Sequence, residues 1–131
     1  MTAAQRRAAE KRDYDAFLDG CKSRALLDRL TDKWVTLVLA ALRDEGTMRF
    51  SALSRRIAGV SQKMLTQTLR NLERDGLVVR TVTPTVPVTV DYRLTDLGTS
   101  LALLVLQVKG WAEQHMDLVL QHRDDYDAAH A

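Results

Sequence analysis

Between Ser61 and Asp75 the chain reads SQKMLTQTLRNLERD, and on a helix Lys63, Gln67, Arg70 and Arg74 fall on one side, flanked by Gln62 and Thr66. Amides, hydroxyls and cations on one face are the side chains that read base edges and grip phosphates in a DNA major groove. The plainer alternative is a solvated helix face, which has a similar charge pattern. Gln62, Lys63, Thr66, Gln67 and Arg70 are the candidates for base contact, because residues toward a helix N-terminus reach bases first. Lys63 and Arg70 suit guanine or phosphate, and Gln62 and Gln67 suit adenine. Arg74, at the far end, suits a phosphate or an intrahelical pairing with Glu73 or Asp75. Arg49 and Ser51 add candidates for backbone contact upstream.

A second candidate is Cys21, the only cysteine. A thiol near a helix start with Lys22 and Arg24 beside it has the setting for a depressed pKa, and so for reactivity. With one thiol per chain, oxidation joins two subunits or caps the sulfur with a small molecule. The alternative role is a small buried residue packed on the central helix. His115, His122 and His130 recur at spacings that match no metal motif. No nucleophile–base pair, Gly-rich phosphate loop or paired-carboxylate site is apparent, so the sequence points away from catalysis and asks for no cofactor.

The elements that would position these residues follow from periodicity and punctuation. Ser61 is a good N-cap and Gly76 a good stop for the helix between them, whose Leu65, Leu69 and Leu72 share the apolar face. Upstream, Asp32 caps a strongly amphipathic segment in which Trp34, Leu37, Val38, Ala41 and Leu42 form a stripe, widened by Val35 and Leu39 into a central helix that Gly46 ends. Thr47 to Phe50 reads as a short extended link, and Ser51 as the cap of a helix with Leu53 and Ile57 inward. The Gly59-Val60 turn then joins two helices into a helix-turn-helix. Beyond Gly76 the period changes to two: residues 78–83 and 88–94 are β-branched runs separated by Pro84-Thr85-Val86-Pro87, a hairpin. Thr95 caps a long helix whose apolar positions, from Leu97 and Leu101 through Leu104, Val105, Val108 and Trp111 to Leu118, outlast what one small core can cover. Residues 2–12 read as a marginal helix or disordered arm, Tyr14, Phe17 and Leu18 as a docking cluster, and the tail from Arg123 as polar and frayed.

At 131 residues, 46% hydrophobic and 27% charged, the composition is that of one ordinary soluble domain with helical extensions. No apolar run approaches the ~18 residues that span a bilayer, and no secretory signal is visible, which places the chain in the cytoplasm. The net charge of +2 hides an asymmetry. From Arg49 to Arg80 seven cations face two acids, whereas from Thr95 onward two cations face six acids. A basic centre beside an acidic tail implies a polyanionic partner for one region only.

The order C-x(10)-D-K-W, R-F-S-x-L, G-V-S-Q-K-M-L-T-Q-x-L-R-x-L-E-x-D-G-L-V-x-R and P-x-V-P-V-x-V-x-Y-x-L-T-x-x-G, between about Cys21 and Trp111, resembles the HxlR-type branch of the MarR-like winged-helix regulators. The resemblance implies a mainly α fold with a small β-hairpin wing, acting as a homodimeric transcription factor on double-stranded pseudo-palindromic operators. It implies a recognition helix from Ser61 to Asp75 and a wing from Arg80 to Arg93, which adds Ser61, Arg80 and Arg93 to the DNA candidates. Residues 1–20 would be an N-terminal arm and first helix for dimerisation, 21–95 the winged helix-turn-helix, 96–122 a C-terminal dimerisation helix and 123–131 a polar tail. Tyr14, Phe17, Leu18, Leu101, Leu104, Val108, Trp111, His115 and Leu118 would form the dimer interface. Some regulators of this kind use a cysteine at the position of Cys21 to sense oxidants or electrophiles, and a small ligand between the terminal helices is the other route to control. Two departures stand out: Lys22 follows the cysteine where Pro is common, and Thr89 replaces a frequent wing arginine. The competing readings are a winged-helix protein–protein module without a DNA target and a thiol redox enzyme; the lone cysteine speaks against the latter.

Overall fold

The computed structural model describes every residue but 21, and of residues 18–20 only the backbone. Cys21 and the side chain of Leu18 therefore lie outside the described residues. The chain runs α1 (Ala3–Gly20), α2 (Lys22–Leu30), α3 (Lys33–Glu45), β1 (Thr47–Arg49), α4 (Phe50–Arg56), α5 (Gln62–Arg74), β2 (Val78–Thr83), β3 (Thr89–Leu94) and α6 (Asp96–Ala129).

α3 is the centre of the core. Asp32 Oδ1 accepts the Trp34 amide at 2.9 Å, which starts the helix. Its buried residues, Val35, Val38, Leu39, Ala41 and Leu42, centre on an i, i+3, i+4, i+7 arc. Leu37, expected on that stripe, is instead 43% exposed. It sits one step round the helix, facing α6 across a shallow groove. Around α3 close Leu53 from α4, Leu65, Leu69 and Leu72 from α5, Val78 and Tyr92 from the sheet, and Leu101 and Ala102 from α6.

The sheet has three antiparallel strands in the order β1-β3-β2. The expected link over residues 47–50 is thus in part a strand: Met48 lies opposite Tyr92, and both are buried. A three-residue strand carries no periodic signal of its own, and its ladder partner is over forty residues away. Ser51 does not cap α4, which begins a residue earlier at Phe50. Arg49 holds the cap position with no side-chain hydrogen bond. Pairing of β1 sets where the backbone can turn into the helix, and that overrides the cap preference of serine.

α6 starts as expected: Thr95 Oγ1 accepts the Gly98 amide at 3.0 Å. The same hydroxyl donates to the Gly76 carbonyl at 2.6 Å, and the Thr95 amide donates to Leu77 O at 3.0 Å. Gly98 is buried here, and a Cβ on it would overlap the Leu77 carbonyl, so only glycine lets α6 approach the end of α5 this closely. The expected frayed tail is helical to Ala129: Gln121 donates to Asp125 at 3.0 Å, and Tyr126 stacks on His130 with centroids 3.9 Å apart. α1 is likewise formed, opened by a reciprocal capping pair in which the Thr2 amide donates to Gln5 Oε1 and the Gln5 amide to Thr2 Oγ1.

Candidate nucleic-acid interface

The face singled out from sequence belongs to α5, and local chemistry explains its orientation. Ser61 Oγ accepts the Met64 amide at 3.1 Å, so the hydroxyl of Ser61 serves the helix cap. At the other end Gly76, with φ of +74°, lets its amide reach Glu73 O and the Leu77 amide reach Leu72 O at 2.9 Å. That pairing is a Schellman cap, and it fixes where α5 ends. Leu65, Leu69 and Leu72 are buried, which turns Gln62, Lys63, Gln67, Arg70 and Arg74 outward, all exposed. Thr66 is half-buried and its hydroxyl donates to the Gln62 carbonyl at 2.8 Å, while Gln67 Nε2 donates to Asn71 Oδ1 at 3.2 Å. The Asn71 contact was not foreseen; its i, i+4 spacing was the available signal.

The hairpin brings one further cation to this side. Side chains alternate across a strand, and Arg80 pairs with the buried Tyr92, so Arg80 lies on the sheet face toward the helices. Gln62, Thr66, Arg70 and Arg80 accordingly line one cleft of about 480 Å³ between α5 and the hairpin, floored by Leu69 and Tyr92. Arg93 and Arg49 are not part of it. They fall in the alternate register, where Arg49 lies 3.9 Å from Asp91 across β1 and β3. Ser51 is exposed within α4.

Several cations are paired within the subunit. Arg29 binds Asp75 at 2.7 Å, and Arg56 binds Glu45 at 2.8 Å and Asp44 at 3.1 Å. Lys109 binds Glu113 at 2.7 Å, and this hydrogen bond raises the Lys109 pKa. Lys63, Arg70, Arg74, Arg80 and Arg93 form no ion pair among the described residues. The suggested pairing of Arg74 with Asp75 is thus replaced by the long-range Arg29–Asp75 contact, which the sequence could not signal. Of the adjacent Arg55 and Arg56, Arg56 alone among the described residues is tied to the end of α3.

The residues expected at a dimer interface divide similarly. Tyr14, Phe17, Leu104, Val108, Trp111 and Leu118 are large apolar side chains left exposed. His115 is half-buried, stacked on Trp111 with centroids 4.6 Å apart, and its Nδ1 donates to the Trp111 carbonyl at 2.9 Å. Leu101 does not belong with them: it is 6% exposed, inside the subunit's own core.

Two helices joined at Gly59, the second presenting a polar face, with a three-stranded sheet closing in a hairpin behind it, define a winged helix-turn-helix protein. Residues 29–119 match the HxlR-like helix-turn-helix family, and the chain belongs to that family of transcriptional regulators. It is 44% identical over 114 residues to the helix-turn-helix-type transcriptional regulator YtfH of Escherichia coli (strain K12), covering 87% of this chain and 90% of that protein. Among solved structures, the transcriptional regulator YtfH from Salmonella typhimurium is 44% identical with a TM-score of 0.74, over 81% of this chain and 94% of that one. The redox regulator HypR in its oxidised form is 39% identical with a TM-score of 0.66, over 72% of this chain and 96% of that one. No helix among the described residues is long and apolar enough to cross a membrane.

Proposed function

We propose that this helix-turn-helix regulator acts in the cytoplasm as a homodimer, each copy laying α5 in the major groove of one half of a pseudo-palindromic operator. The observation that carries the reading is the cleft where Gln62, Thr66, Arg70 and Arg80 converge; Glu73 also lines it but pairs with neither arginine among the described residues. Cations kept unpaired on one face are available to phosphate and guanine, whereas a merely solvated face gains from pairing them. Gln62, Lys63, Thr66, Gln67 and Arg70 read bases in this scheme, while Ser61 and Arg74 flank them on the backbone. Arg80 holds a phosphate beside the helix; Arg49 and Arg93 lie outside the cleft and contribute long-range attraction, and the Ser51 hydroxyl is available to a backbone phosphate. The tip residues Pro84–Pro87 hold no cation, so the wing contributes through Arg80 rather than through its end.

The second copy covers the apolar residues of α1 and α6, including Tyr14, Phe17, Leu18, Trp111 and Leu118. Two-fold pairing of such faces sets half-sites about one helical turn apart, or a multiple of it. Cys21 is a candidate switch by its basic neighbours Lys22 and Arg24 and by likeness to the redox regulator HypR.

The test is a titration of labelled DNA from upstream of the gene against random duplex, reduced and then mildly oxidised, with Cys21→Ser in parallel. Selective binding that falls steeply with salt supports the regulator. A response to oxidant that Cys21→Ser abolishes assigns the switch to the thiol. Absence of any duplex binding at low salt would remove the DNA reading in favour of a protein–protein module.

A further inference from the structure

Of the exposed candidates on α5, namely Gln62, Lys63, Gln67, Arg70 and Arg74, Gln67 alone is held by another side chain among the described residues. Its Nε2 donates to Oδ1 of Asn71, one turn on, at 3.2 Å, and Asn71 is itself half-buried. A long unbranched side chain loses rotamer freedom when it binds, which costs affinity. An i, i+4 hydrogen bond to a less mobile neighbour meets part of that cost before DNA arrives. The bond also selects what the amide offers. Glutamine carries one oxygen acceptor and two N–H donors. With one N–H given to Asn71, the oxygen and the other N–H remain side by side. Adenine presents its N7 acceptor beside the N6 amino donor in the major groove, which is the complement of that edge. Guanine presents two acceptors there, N7 and O6, so the amide oxygen would face O6 with no hydrogen between them. An amide free to swing could turn both N–H groups toward guanine. Asn71 closes that option by holding one of them.

We propose that Asn71 is a positioning residue that sets Gln67 to prefer adenine over guanine at one position of each half-site. The inference rests on the proposed function, in which α5 enters the major groove. Asn71 touches no base in this scheme, and its influence passes through the Gln67 amide. The unpaired cations Lys63, Arg70 and Arg74 stay free to adjust, and Gln67 is the side chain whose orientation is set in advance.

Selection of duplexes from a randomised pool by the wild-type protein supplies the site, and competition binding then compares variants on it. The selected half-site should hold an adenine whose replacement by deazaadenine, which lacks the N7 acceptor, costs the wild type about tenfold in affinity. Gln67→Ala should be indifferent to that replacement. Asn71→Ala should narrow the adenine-over-guanine ratio at that position about three- to tenfold. Preferences elsewhere in the site should persist, with no fall in melting temperature. Asn71→Asp, whose oxygens can only accept, should weaken binding to all duplexes alike by charge repulsion and yet keep the ratio. An unchanged ratio in Asn71→Ala would overturn the proposal. So would loss of the ratio in Asn71→Asp, since Asn71 would then act as a donor. A wild type that binds duplex without sequence preference removes the DNA reading itself, and the positioning role with it.

Discussion

α5 and α6 obey the same amphipathic rule and meet different ends. α5 buries Leu65, Leu69 and Leu72 within its own subunit and, Met64 apart, turns polar side chains outward. α6 buries Gly98, Leu101 and Ala102 in its first two turns, and then runs past the core. With 34 residues it extends about 50 Å at ~1.5 Å per residue, leaving Val108, Trp111 and Leu118 exposed. A helix whose apolar side is satisfied at home has its polar side free for a ligand. A helix whose apolar side is left over calls for another protein surface. The contrast separates reading DNA from associating, and each role can be attacked alone.

The most damaging change should be Leu65→Ala. It empties a fully buried position behind α5 and should cost about 2–5 kcal/mol of stability, read as a lowered denaturant midpoint. DNA binding would fall only through unfolding. Val108→Asp should do the reverse: its residue is 69% exposed in the subunit, so the monomer stays folded. The dimer should weaken by about 2 kcal/mol or more, seen as monomer by sedimentation at micromolar concentration. If the variant sediments unchanged, α6 is not the associating helix.

Arg70→Ala sharpens the other half of the comparison. Operator affinity should drop by about 1–3 kcal/mol with melting temperature unchanged, because Arg70 has no internal ion pair among the described residues to lose. Lys63→Ala should cost about 1–3 kcal/mol of operator affinity and relax specificity at the base it meets, read by comparing operator variants. Ser61→Ala removes the α5 cap and should cost about 1 kcal/mol in stability. The smallest effect belongs to Arg49→Ala, on the far face of the sheet and beside Asp91: under about 1 kcal/mol in either assay. A loss at Arg49 equal to that at Arg70 would mean that the two sheet faces are not distinguished by DNA.

Much of this was open to inspection in the residues themselves. Ser61, Gly76, Asp32 and Thr95 act through bonds to neighbours a few positions away, so their roles as caps and stops follow from local spacing. The same holds for the polar face of α5, the two long strands, and the unburied length of α6. The expectation failed where a distant partner decided the outcome. β1 exists because β3 lies beside it, and that pairing moved the start of α4 from Ser51 to Phe50. Leu101 is covered and Leu37 partly open because the packing of α3 against α6 decides which part of each apolar stripe is buried.

Residue types and spacing by themselves determined which face of α5 is polar, where the helix begins and ends, and that a hairpin follows. Hydrophobic periodicity and backbone capping are short-range effects, complete within one or two turns. Tertiary structure alone decided which cations remain unpaired. It took Arg29 to Asp75 and Arg56 to the end of α3, and placed Arg80, not Arg93, across the cleft from Arg70. Charge pairing depends on distances across the fold, and a strand's alternation acquires an inside and an outside only when something packs against it.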